Sequence, residues 1–171
     1  MPGPANARRA LFFVACVLCG APAADAQQFV STGRGTLRGL TGVEVVVDRL
    51  PPEIVGLGLS SHTIQTDIER QLRDRHVIVF ASQRANPSPA QAYLYVHANA
   101  LSFDRDNRNA IAIQVQLRQT LQSLVTGSRI VDAMTWDAHN VLVVPPSGVG
   151  DLRAEIRAYV EQFIEDWTAV H

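Results

Sequence analysis

The residues with chemical potential in this chain are few and scattered. Its five histidines are His62, His76, His97, His139 and His171. None are four apart, and no H-E-x-x-H occurs, so no helix presents a zinc-binding pair. A histidine site would need His97, His139 and a carboxylate to converge from separate elements. His97 and Asn99 share one face of a predicted strand and are able to look into a cleft together. A hydrolase serine needs a G-x-S-x-G elbow. The nearest stretch, Gly56-Leu-Gly58-Leu-Ser60, has the wrong spacing, and Ser60 already has a role as a helix cap. Asp104-Arg-Asp106-Asn107 opens like a calcium loop, but Arg108, Asn109 and Val115 stand where an oxygen ligand, a glycine and a glutamate belong. Gly33-x-Gly35-x-x-x-Gly39 follows no strand and lacks dinucleotide-loop spacing. Glu165 and Asp166 read as the polar side of the last helix. No catalytic residue, metal ligand or cofactor site is assigned, and a non-catalytic role is expected.

Composition narrows the classes further. The chain has 171 residues with 47% hydrophobic and 18% charged, the balance of one globular domain. Its formal charge is -1, and all 15 basic residues are arginines. A catalytic, Schiff-base or P-loop lysine is thereby excluded. Arg70, Arg73 and Arg75 cluster, but Glu69 and Asp74 sit among them, so no basic surface for nucleic acid is expected.

Residues 1–26 have the layout of a secretory signal: Arg8 and Arg9, an apolar run from Ala10 to Cys19, then Ala24-Asp25-Ala26 as an A-x-A cleavage site. The run is too short for a bilayer, which needs about 20 apolar residues. Cleavage after Ala26 predicts a periplasmic chain starting at Gln27. Both cysteines, Cys16 and Cys19, would leave with the signal, taking away any disulfide or thiolate chemistry. Phe13-Val-Ala-Cys16 departs from a lipobox at Phe13, so a lipid anchor is not expected, and no transmembrane segment is expected in the mature chain.

The elements that must position any site follow from periodicity. Residues 27–38 are polar and glycine-bearing and read as a flexible arm, leaving 39–171 as one domain. Val43, Val45 and Val47 alternate with Glu44, Val46 and Asp48, a strand ended by Pro51-Pro52. Ser60 caps a helix whose apolar stripe is Ile64, Ile68 and Leu72, with Leu59 placed to staple on Ile64 and an end near Asp74 or Arg75. His76–Ser82 is nearly all apolar and reads as a short buried strand. Tyr93–Phe103 and Ala110–Leu121 alternate cleanly, and Arg129–Trp136 is a fifth strand. The segment from Asp137 to Gly150 is ambiguous, with room for a further short strand at Val141–Val144. From Asp151 a last helix carries Leu152, Ile156, Tyr159, Val160, Phe163, Ile164 and Trp167 on one face. The order β-α-β-β-β-α predicts an α+β, two-layer sandwich. Its mixed sheet contains an antiparallel meander, and both helices lie on one face.

The uncovered face would then carry Gln114, Gln116 and Arg118, the best candidate surface for a partner strand or peptide. A second reading is a small-molecule or lipid cavity between helices and sheet, near Tyr95, Trp136 and Trp167.

Gly42-Val-Glu-Val-Val-Val-Asp48, the serine-capped helix ending Gln71-Leu-Arg73 and His76-Val-Ile-Val79 follow in a suggestive order. Tyr93-Leu-Tyr-Val-His-Ala-Asn99, Gln114-Val-Gln-Leu-Arg-Gln119, Thr135-Trp136 and the C-terminal helix complete it. In this layout the chain resembles small secreted bacterial envelope proteins without an assigned activity. It is similar to the N-terminal domain of TolB and to LptE-like envelope lipoproteins over roughly residues 37 to 170. The likeness rests on layout and no diagnostic motif; the chain departs from it by lacking a convincing lipobox and a second domain. It implies a binding or scaffolding part, with an envelope protein or component as partner, and transfers no catalytic residue.

Overall fold

The computed structural model describes residues 33–103, 108–145 and 148–171. The expected signal (1–26) and residues 27–32 of the expected arm lie outside the described residues.

Five strands form one mixed sheet in the order β2-β1-β3-β4-β5. They are β1 (Val43–Val47), β2 (Val79–Phe80), β3 (Tyr93–Phe103), β4 (Arg108–Gln122) and β5 (Arg129–Val144). β1 pairs in parallel with both β2 and β3, and β3-β4-β5 is an antiparallel meander. The helices are α1 (Pro52–Gly56), α2 (Ser61–Asp74) and α3 (Val149–Thr168). The α+β two-layer reading holds. The inward residues of β1, β3, β4 and β5 form one core with Ile64, Ile68 and Leu72 of α2 and with the apolar face of α3. That leaves the opposite sheet face uncovered.

Local chemistry explains the ends of α2. Ser60 Oγ accepts the Thr63 N–H at 3.1 Å, a true N-cap. At the other end the Val77 N–H reaches Leu72 O and the His76 N–H reaches Arg73 O. His76 adopts φ 63°. This is a Schellman stop with histidine in the place glycine usually takes, and Leu72 and Val77 are both buried beneath it.

Three expectations need correction. His76–Ser82 is not a buried strand. His76 and Val77 are spent on the helix stop, Ile78 lends only its carbonyl to the Val43 N–H, the strand itself is Val79–Phe80, and β2 is a sheet edge with Ile78 exposed. Of the ambiguous segment after Trp136, residues 137–144 belong to β5 and add no separate strand, because β5 runs unbroken to Val144. The arm is not loose over its last residues: Gly33–Leu37 forms a 3-10 turn against β5, and Leu37 is fully buried. The turn docks because residue 33 has no side chain. A Cβ there would lie 2.0 Å from the Thr135 carbonyl oxygen.

Asp166 also departs from the polar-face reading of α3. It is 5% exposed, accepts the Trp136 indole N–H at 2.9 Å, and pairs with Arg34 of the 3-10 turn at 2.6 Å. A buried carboxylate needs such partners, and here they join three elements.

Candidate functional site

The uncovered face is built by strand parity. Register sets Tyr93, Tyr95 and His97 of β3 opposite Arg118, Gln116 and Gln114 of β4. On β1, Glu44 and Val46 flank Tyr93 and Tyr95, and Asp48 follows at the strand end. On β5, Asp137 and His139 lie opposite Gln116 and Gln114.

These side chains form one connected plate. Asp48 Oδ2 accepts from the Tyr95 hydroxyl at 2.7 Å and contacts His97 Nδ1 at 2.9 Å. His97 Nε2 lies 2.9 Å from the Asn99 amide nitrogen. An amide nitrogen only donates, so Nε2 is an acceptor and the proton sits on Nδ1, facing Asp48. The Tyr95 hydroxyl bond, then the Arg49 backbone N–H and His97, hold Asp48 below the ordinary 3.8 of an aspartate. The same bond to Asp48, with burial, raises Tyr95.

Arg118 is the centre of the other half. Its guanidinium stacks 4.7 Å above the Tyr95 ring, pairs with Asp132 at 3.0 Å, and donates from Nε to Gln116 Oε1 at 3.0 Å. Gln116 passes the chain on to Gln114. The Tyr93 hydroxyl donates to the other oxygen of Asp132. Burial first, then Asp132, raises Tyr93. Asp132 reaches this place through irregular pairing. The β4–β5 register shifts twice near it, and its backbone is left-handed at φ 60°, a conformation aspartate tolerates better than most residues.

Beside the plate, Glu44, Val46, Ser82, Gln83, Arg84, Tyr93 and Tyr95 line an open groove. Glu44 Oε2 is buried there without a hydrogen-bond partner. Desolvation raises its pKa above the ordinary 4.5, against a smaller lowering by the Gln83 backbone N–H.

The structure brings Gln114, Gln116 and Arg118 together as expected, but as parts of a network and not as a free solvated row; Gln116 is itself buried. It separates the other trio. Trp136 and Trp167 are in the core, whereas Tyr95 is on the far side of the sheet with Asp48 and Arg118. The hollow between α2 and α3, lined by Ile64, Ile68 and Ile156, amounts to about 20 Å³, room for about one water molecule. His97 and His139 do share the open face, on either side of Gln114. Each keeps its own carboxylate, Asp48 and Asp137 respectively, at 2.9 Å. Among the described residues no group of three metal-ligating side chains converges, and no helix is long and apolar enough to cross a membrane.

The plate is a rigid display of hydrogen-bonding groups around two tyrosine rings. Both nitrogens of His97 are occupied, so Nε2 would have to shed Asn99 before accepting a proton. Sequence reasoning missed Asp48, Asp132 and Glu44. For Asp48 and Glu44 the signal was present in the β1 alternation, which puts them on the polar side. For Asp132 there was none, because irregular pairing breaks parity.

No family model matches the chain, and no curated protein matches it. Among solved structures it is similar to a dodecamer of a PelC variant from Paraburkholderia phytofirmans. The identity is 13%, covering 72% of this chain and 87% of that chain, with a TM-score of 0.42.

Proposed function

We propose that this chain is an exported, non-catalytic binding domain of the bacterial envelope. In this reading it acts in the periplasm after cleavage behind Ala26, and the open sheet face engages an envelope protein or component. The observation that carries it is the pre-organised plate around Tyr95 and Arg118. Its side chains are already held by Asp48, Asp132 and Gln116. A partner binding there would lose little side-chain entropy, and tyrosine and arginine are the groups that most often dominate such contacts. The TolB-like and LptE-like layout supports the same role.

The test compares opposite faces of one molecule. Tagged chain is incubated with envelope extract alongside Arg118→Glu, Tyr95→Ala and, on the helical side, Arg70→Glu. The reading expects a partner retained by wild type and Arg70→Glu and lost by both plate variants. A partner lost equally in all three, or retained by both plate variants, refutes the assignment of the face. Processing is checked separately by the mass of the periplasmic chain, which should begin at Gln27.

A further inference from the structure

The β4–β5 hairpin outruns the sheet. β3 pairs with β4 only as far as Tyr93 opposite Arg118, while β4 and β5 stay paired out to Gln122 and Arg129. The turn that closes it, residues 123–128, carries Leu124 at 102% and Val125 at 94% exposure. Leu121, Ile130 and Val131 are exposed just behind. Turns in water ordinarily collect polar residues and glycine. Two adjacent aliphatic side chains at full exposure leave apolar surface in water with no compensating contact in the chain.

Hydrogen bonds close the base of the turn. The Ser123 N–H donates to Ser128 O and the Gly127 N–H to Ser123 O, both at 2.8 Å. Ser123 Oγ accepts the Thr126 N–H, Thr126 Oγ1 accepts the Ser128 N–H, and the Gln122 amide donates to Gly127 O. The amides of Ser123, Thr126, Gly127 and Ser128, satisfied in this way, escape the penalty of entering a medium without water. Charge points the same way. Between residues 119 and 131 there is no carboxylate, and Arg129 is the sole charged side chain. The turn itself holds small hydroxyl residues beside its aliphatic pair. It has none of the aromatic or arginine anchors that fill shaped protein pockets, which favours a fluid apolar phase as the occupant.

We propose that this turn is a shallow membrane-insertion point. Leu124 and Val125 enter the boundary between headgroups and acyl chains of an anionic bilayer, and Arg129 lies among the headgroups. The chain's overall charge is near zero, so the contact is local and reversible. The inference is independent of what binds the open face.

The chain from Gln27 onward contains every described residue of the core and serves for the test. It is floated with vesicles of phosphatidylethanolamine and phosphatidylglycerol, and separately with phosphatidylcholine alone. Wild type is expected to partition onto the first and much less onto the second. The double variant Leu124→Asp, Val125→Asp should lower that partitioning by about thirtyfold, from partial burial of two aliphatic side chains. Arg129→Gln should lower it about fivefold, on anionic vesicles only. Leu124→Ile with Val125→Leu should preserve it. An unchanged thermal melt confirms that each variant is folded. Absence of wild-type binding to both vesicles overturns the proposal, as does equal flotation of the aspartate variant. Turn-dependent capture of an envelope protein without any vesicle binding also overturns it and assigns the turn to a protein partner.

Discussion

Replacing Asp166 should reveal how the first described turn is fastened to the rest of the molecule. One carboxylate oxygen accepts from Arg34 Nε at 2.7 Å, and the other accepts from the Trp136 indole at 2.9 Å. Trp136 is fully buried. Asp166→Ala therefore leaves a buried N–H with no acceptor, a penalty of about 1–3 kcal/mol. It also removes an ion pair whose arginine side chain is 60% exposed, and solvent screening holds that part to under about 1 kcal/mol. The expected total is about 1–4 kcal/mol. Asp166→Asn keeps an oxygen for Trp136 and should cost about half as much. Urea unfolding followed by tryptophan fluorescence measures both. Amide exchange should show residues 33–37 losing protection in the alanine variant first. Equal losses for Ala and Asn, or a loss below about 0.5 kcal/mol for Ala, would mean the indole bond does not hold these elements together.

Two perturbed carboxylates, Asp48 in the plate and Glu44 beside it, should respond to pH with opposite signs. Asp48 is lowered, so its contribution is complete above pH 3.8 and is lost as pH falls through its folded value. Tyr95→Phe should bring its titration, read by NMR, back up toward 3.8. An unmoved titration would show that Tyr95 is not the main cause. Glu44 is raised, so the folded state is favoured at low pH and loses that advantage as pH climbs from 4.5 through the folded value. Glu44→Gln should remove this slope and leave the domain at least as stable at neutral pH, whereas clear destabilisation would reveal a hidden partner for its carboxylate. Gly33→Ala should destabilise by about 2 kcal/mol or more, because the Thr135 carbonyl expels the 3-10 turn and uncovers Leu37. A melting temperature equal to wild type would contradict that packing. Arg118→Glu sets a carboxylate against Asp132 and should cost about 1–2 kcal/mol while the chain stays folded by circular dichroism.

Alternation along a strand depends only on local geometry, since successive side chains point to opposite faces. That is why Ile111, Ile113 and Val115 were legible as core, and Gln114, Gln116 and Arg118 as the other side, without any knowledge of the fold. The Ser60 cap and the stripes of the two long helices are local in the same sense. Neighbourhood is different, because it is set by contacts between residues far apart in the chain. Nothing near Val79 says that its strand is an edge, and nothing near β1 says that β3 lies beside it. Asp166 looked like part of the polar side of the last helix until Arg34, 132 residues away, supplied a partner. Tyr95 and Trp136 looked like companions until the sheet came between them. Asp132 faces Arg118 because irregular pairing overrides the alternation that makes the other strands readable. Residue patterns thus dictated the layers and the polarity of each face. The plate itself arose from strand order and register, which follow from how the whole chain packs and not from any short stretch of it.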